Sequence, residues 1–246
     1  NWCGTNYRFC TWGSLDIMEL QRNMQFFKIK HRFEMPLIYY DIQKLFNLSI
    51  GGDKQLLSSL SHAIEYLGLP TCGEFHRALS DAEYTLEVMR HMDFAKWSSY
   101  YSIDCYYAPS NRQDEIFVHF PTYSKFISRK FSTKERALLD EELKLMRCHT
   151  CGQPMQIKIP WFSDNAKLYY GAACCKSHGL HRCKIKMKKT FNNKIYATKI
   201  TVPTDESGVQ DILTRQTMLR ERRKEKRHNN KNEVLQNRTE HAGAVS

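Results

Sequence analysis

The sequence predicts an α/β chain in three parts: short strands alternating with amphipathic helices, then a small β module, then a basic helical tail. Three observations predict it. Apolar residues recur at helical spacing between short apolar runs bounded by Gly or Pro, the pattern of helices set between strands. Two cysteine-bearing knuckles, Cys148-His149-Thr150-Cys151-Gly152 and Cys175-Lys176-Ser177-His178-Gly179, frame segments of alternating polarity. The charge is uneven as well: residues 1–146 hold 17 Lys and Arg against 18 Asp and Glu, while residues 147–203 hold 11 against the single Asp164.

Taken in order, Tyr7 to Thr11 reads as a strand broken by Gly13-Ser14. A helix follows with Ile17, Leu20, Met24 and Phe27 as its apolar positions. Asp16 falls in its first turn, where the helix dipole favours a carboxylate. Pro36 to Tyr40 reads as a short buried strand, and Asp41 as the N-cap of a helix from Ile42 to Asn47. Gly51-Gly52 is a loop. Lys54 to Leu67 is an amphipathic helix with Leu57, Leu60, Ile64 and Leu67 on one face, a solvated His62 on the other and Gly68 at its end. Ser80 and Glu83 have the spacing of a capping box, which predicts a helix from Ser80 to about His91 with Ala82, Leu86 and Met89 facing the core. His76 then lies on the preceding loop, five residues before Asp81. Residues 93–146 read as a connector. Asp93 to Gln113 has no helical or strand period, and a second capping box, Ser132-Thr133-Lys134-Glu135, opens a helix over 133–146 through Leu138, Leu139, Glu142 and Met146.

Residues 147–203 carry the β module. Strands are expected over Met155–Trp161, Lys167–Ala173, Cys183–Thr190 and Lys194–Val202, the last two joined at Asn192-Asn193. A Cys-x2-Cys knuckle and a Cys-x2-His knuckle joined by β-ribbons make a zinc ribbon, in which Cys148, Cys151, Cys175 and His178 would fill all four positions of a structural Zn²⁺. Cys174 is an alternative to Cys175, which has the two-residue gap and lies nearer the glycine. Cys183 shares a strand face with Ile185 and Met187 and reads as a buried thiol; His149 and His181 read as exposed. Nine cysteines, four of them in close pairs, suit a reducing, cytoplasmic compartment and a metal site rather than a disulfide framework. No apolar run approaches the roughly 18 residues of a membrane helix, so no membrane partner is expected.

Lys184, Lys186 and Lys188 alternate with Ile185 and Met187 and so share one strand face. With Lys158, Lys167, Lys194 and Lys199 nearby, and Trp161, Tyr169 and Tyr170 to stack on, the module is expected to grip single-stranded nucleic acid. The tail, 204–246, is expected to form a solvated basic helix over Asp211 to Asn229 and to be disordered beyond about His228.

A family resemblance rests on four stretches in order. Thr11-Trp12-Gly13-Ser14-Leu15-Asp16 with Glu19-Leu20, Tyr40-Asp41-Ile42-Gln43, Leu57 to Leu69, and Phe75-His76-Arg77-Ala78-Leu79-Ser80-Asp81-Ala82 resemble the second half of a DEDDh-type 3′–5′ exonuclease domain. The Trp-Gly-x-x-Asp form points to the branch with the bacterial KapD-like proteins and the eukaryotic histone-mRNA and small-RNA exonucleases. The resemblance covers about residues 5–92 and assigns 1–92 to the C-terminal half of the domain. It implies a ribonuclease H-like fold, two catalytic Mg²⁺ or Mn²⁺ ions, and hydrolysis of phosphodiester bonds from the 3′ end, RNA being favoured over DNA. By position, Asp16 resembles the carboxylate of the second motif, Asp81 that of the third, and His76 the general base. The ribbon resembles a C-terminal extension of some bacterial members. The chain departs from the family in its first motif, an Asp-x-Glu expected on a strand upstream: nothing before Asp16 is acidic. The expectation is therefore a chain truncated by roughly 100 residues, inactive alone although the longer protein is an enzyme. The alternative is a nucleic-acid-binding zinc-ribbon protein with an incomplete or inactive exonuclease half.

Overall fold

A computed structural model describes residues 4, 7–30, 33–51, 59–71 and 75–243. The chain divides into two units, Asn1–Ala108 and Pro109–Ser246. Leu57, Gly52 and the start of the helix expected from Lys54 lie outside the described residues.

In the first unit β1 (Phe9–Thr11) and β2 (Ile38–Asp41) pair in parallel, with Thr11 opposite Asp41, and β3 (Ser102–Ile103) lies antiparallel on the other side of β2. A parallel pair needs a crossover connection, and α1 (Leu15–Phe26) lies within it. The buried positions of α1 are Ile17 and Gln21, whereas Leu20 and Phe27, expected in the core, are exposed. Gln21 is held inside by its Nε2, which donates to the Ile17 carbonyl and to Asp104 Oδ2. At the end of β2 Asp41 is the N-cap expected, its Oδ1 accepting from the Lys44 N–H at 3.0 Å to start α2 (Ile42–Ser49). Next, α3 (Leu60–Tyr66) is capped by Ser59 and followed by Gly68 at φ +63°.

The following helix, α4 (Ala78–Arg90), starts earlier than the capping box implies, with Arg77 at its N-cap and Ser80 already inside its first turn. Its buried side chains are Tyr84, Thr85 and Val88, while Ala82 and Leu86 are exposed, so the face turned to the core is not the one expected. The buried face is set by contact outside the helix: Tyr84 stacks on Phe75 with ring centroids 4.8 Å apart, while at the helix start Arg77 makes no side-chain cap and Asp81 Oδ1 accepts from the His76 N–H at 3.2 Å. The stretch without a clear period contributes α5 (Phe94–Trp97), a 3₁₀ turn at Ser98–Tyr100 and β3.

The second unit is built on a six-stranded antiparallel sheet in the order β4-β5-β9-β8-β7-β6. Its strands are β4 (Ile116–His119), β5 (Ser124–Ile127), β6 (Gln156–Ser163), β7 (Leu168–Cys175), β8 (Gly179–Lys189) and β9 (Ile195–Pro203). The four-stranded ribbon expected from 147–203 thus gains two strands from the stretch read as a connector, because β5 pairs along the open side of β9. The expected helix over 133–146 breaks at Asp140 into α6 (Lys134–Leu139) and α7 (Glu141–Lys144). Asp140 caps the second piece through the Leu143 N–H at 2.9 Å and receives Arg129 Nη2 at 2.6 Å.

One sheet face packs Phe126, Tyr169, Ile185 and Met187 against Ala137 and Leu143, and continues into Met146, Cys148, Met155, Cys175 and Cys183. Gly171 makes this approach possible: a Cβ there would collide with Met146 Cε and sit 3.0 Å from the Ile159 carbonyl oxygen. The opposite face holds Ile159 and Ala172 under Ile212 of α8 (Glu206–Gly243). The tail is therefore helical well past the point where disorder is expected.

Candidate metal centre

The first knuckle is a tight turn. The Cys148 N–H donates to the Gln153 carbonyl at 2.9 Å, the Gly152 N–H to the Cys148 carbonyl at 3.0 Å, and Gly152 takes φ +71°, which favours glycine. The second knuckle is the β7–β8 hairpin, where Cys175 faces Gly179 across the ladder and Gly179 also lies at φ +71°. Cys175 lies on the same face of β7 as Ala173, in the cluster that holds Cys148. Cys174 points to the other face, because neighbouring strand residues alternate.

The ligand atoms of Cys148, Cys151, Cys175 and His178 all lie within 4.8 Å of one another. Cys151 Sγ and Cys175 Sγ are 3.7 Å apart, and His178 Nδ1 is 3.6 Å from both Cys148 Sγ and Cys175 Sγ. A tetrahedral zinc at usual bond lengths would set edges of about 3.8 Å between sulfurs and about 3.5 Å between sulfur and nitrogen. These three edges fit those figures, and three thiols with an imidazole are a donor set zinc favours. The group could hold a metal such as zinc. The Cys175 thiol is drawn down to about 6, first by the Ser177 backbone N–H and then by His178, whereas burial raises that of Cys148. The cysteines described are free thiols, with no disulfide among them.

Two histidines depart from expectation. His181 is fully buried, with Nδ1 3.0 Å from the Gly179 carbonyl oxygen and Nε2 3.6 Å from Cys148 Sγ. It shares the inward face of β8 with Cys183, which is buried as expected, so the alternation that places Lys184, Lys186 and Lys188 outward also turns His181 in. His149 is half-buried, its ring 5.8 Å from that of His119 on β4.

In the first unit Asp16 and Asp81 come near one another. The carboxyl of Asp16 is raised, first by partial burial and then by the charge of Asp81. Asp16 follows the carboxyl end of β1 through Gly13, whose backbone donates to Asp41 at the end of β2, whereas Asp81 is carried by α4. His76 sits on the loop before α4, exposed and at φ +70°, with its backbone bound to Asp81 as described above. The one cluster of three or more metal-competent side chains among the described residues is the Cys₃His group, so Asp16 and Asp81 form a pair and not a larger cluster.

The basic residues separate. Lys184, Lys186 and Lys188 line the outer face of β8, and Lys158 is exposed on β6. Trp161 lies on the other face, packed against both clusters there, with Nε1 donating to the Lys144 carbonyl at 2.7 Å. Tyr169 is buried on that face too, and Lys199 is buried with Nζ donating to the Glu142 and Leu145 carbonyls, both at 2.6 Å. The aromatic beside the lysine row is Tyr170, whose ring lies 5.6 Å from Lys184 Nζ and 4.7 Å from the Arg215 guanidinium. The pairing with Arg215 joins residues 45 positions apart and has no signal in the sequence.

Comparisons with family models, with curated proteins and with solved structures find no match. What defines the chain is its own architecture, a mixed α/β chain with a Cys₃His group able to hold a metal. No helix among the described residues is long and apolar enough to cross a membrane.

Proposed function

We propose that the first unit serves a metal-dependent 3′–5′ exonuclease of ribonuclease H-like type, and that the second holds its nucleic-acid substrate, RNA by preference, on a scaffold closed by structural zinc. One observation carries the reading: Asp16 and Asp81, 65 residues apart in sequence, lie close enough for their charges to interact. They do so by the carboxyl ends of a parallel strand pair, the usual place for a site in an open α/β sheet. The residue types suit the chemistry. Asp16 and Asp81 would hold Mg²⁺ or Mn²⁺, which stabilises charge on the oxygens of a phosphodiester displacement. His76 would take the proton of the attacking water. Two carboxylates are fewer than a pair of such ions needs, and the resemblance assigns the other two to an Asp-x-Glu that does not precede Asp16. Free thiols at the described cysteines suit a reducing, cytoplasmic setting.

The second reading is a nucleic-acid-binding zinc-ribbon protein with an inactive or incomplete exonuclease half, in which the second unit does the binding. One assay separates the two: trimming of 3′-labelled RNA and DNA with Mg²⁺ or Mn²⁺, by the chain and by the product of its reading frame extended upstream. The exonuclease reading expects metal-dependent shortening from the 3′ end by the extended product, reduced about 100-fold or more by His76→Ala or Asp81→Ala. An extended product that binds RNA without shortening it establishes the second reading.

A further inference from the structure

Arg182, Lys184, Lys186 and Lys188 occupy alternate positions of β8 and are all exposed. At a strand's rise they stand about 7 Å apart in a row about 20 Å long. Among the described residues none of the four enters an ion pair with a carboxylate. They crowd one another instead: Lys186 is held below the ordinary lysine range, by partial burial first and then by Lys188, Lys184 and Lys167.

The helix α8 lies beside this row. Val209 and Ile212 pack with Ile159 and Ala172, Arg215 lies over Tyr170, and Arg223 donates to the Ser163 carbonyl. Ala172, Tyr170 and Ser163 succeed one another toward the β6–β7 turn, so this part of α8 runs antiparallel to β7 and hence in the direction of β8. From Val209 to Arg223 it extends about 21 Å, the length of the row. Tyr170 braces the two sides, taking Lys184 on one hand and Arg215 on the other. The result is a cationic lane floored by a strand and walled by a helix.

We propose that this lane takes the sugar–phosphate backbone of a single-stranded nucleic acid, with Arg182, Lys184, Lys186 and Lys188 on successive phosphates, while Arg215 in the wall is paired with Asp164 at 3.3 Å and braces Tyr170. The assignment deepens the reading of the second unit as the substrate-holding part and rests on it. A regular file of cations fits a linear polyanion better than the irregular charges of an acidic protein surface. Since Tyr170 is engaged by Lys184 and Arg215 and Trp161 lies on the reverse face, the lane touches phosphates rather than bases, with little base preference.

The test is fluorescence anisotropy of labelled oligouridine and oligothymidine, about 16 nucleotides long, with the zinc-loaded whole chain and no Mg²⁺ or Mn²⁺. Lys184→Gln/Lys186→Gln should weaken binding about tenfold near physiological salt and flatten the log–log salt slope by about 1.4, at about 0.7 for each phosphate left without its lysine. Lys28→Gln/Lys30→Gln, which removes the same charge from the first unit, should leave both within about twofold. Unchanged zinc content shows that the lane variant is folded. If the chain binds and the lane variant binds equally well, the lane is overturned while the nucleic-acid reading stands. If the chain binds neither oligonucleotide, both fall, and the nuclease reading of the first unit is left to the trimming assay. Tighter binding of a duplex, or of phosphatidylserine vesicles, overturns the single-strand assignment.

Discussion

At Cys148 several supports meet. The Thr150 N–H donates to its sulfur at 3.3 Å, His178 Nδ1 stands 3.6 Å away, and the buried His181 lies at the same distance through its Nε2. A metal bound here would be linked to folding, since the unfolded chain has no such site. Cys148→Ser should therefore lower bound zinc, measured by atomic absorption, from one per chain to near zero and unfold the second unit. A metal-free chain that keeps its fold would refute the site. Lys199 offers a separate check through pH. Burial brings it down to about 8, below its ordinary 10.5, so between those values the unfolded chain holds more protons and stability rises with pH on account of this group. Below about 8 the penalty is constant. Lys199→Met should remove that rise: urea unfolding at a pH near 7.5 and near 9.5 should show wild type gaining up to about 2 kcal/mol relative to the variant. An equal response in both proteins would rule out this role for Lys199.

Among the elements, α6 and α7 show how one side chain divides a helix. Asp140 caps α7 and also closes an ion-pair chain with Arg129, which reaches Glu115 at 2.8 Å on its other side. Continuing one helix through Asp140 would lose the cap. Asp140→Ala should cost about 1–3 kcal/mol, a cap plus a charged hydrogen bond, and Asp140→Asn distinctly less because the amide oxygen can still cap. Denaturant midpoints of the two variants decide it; equal losses would mean that the charge, not the cap, dominates. The long α8 is held to the sheet by few side chains, Ile212 chief among the apolar ones. Truncating it to alanine should cost about 2–3 kcal/mol and loosen the helix, seen as faster amide exchange over Val209 to Arg215.

At the scale of the molecule each unit has its own sheet. Calorimetry of the zinc-loaded chain should resolve a transition that disappears with a zinc chelator and one that does not. A single transition, lost entirely on chelation, would contradict independent folding of the first unit.

By itself the sequence pointed to Cys148, Cys151, His178 and one of Cys174 and Cys175 as a group able to hold a metal, because knuckle turns are local, and strand alternation in the fold brings Cys175 to the other three. The inward Cys183 and the outward lysines of β8 are also legible, since strand alternation needs only neighbours; His181 obeys the same alternation, and its polar type alone points the wrong way. The tertiary structure alone decided which faces of α1 and α4 are buried, since Gln21 is kept inside by Asp104, a residue 83 positions away. It likewise decided the enlargement of the ribbon to six strands, the burial of Trp161 and Lys199 on one face, and the laying of α8 along β8. Each of these depends on residues distant in sequence meeting in space, and no local pattern of polarity records those energies. Asp16 and Asp81 lie between the two cases: their types and order could be read along the chain, but their approach exists only where the strands, loop and helix that carry them are packed together.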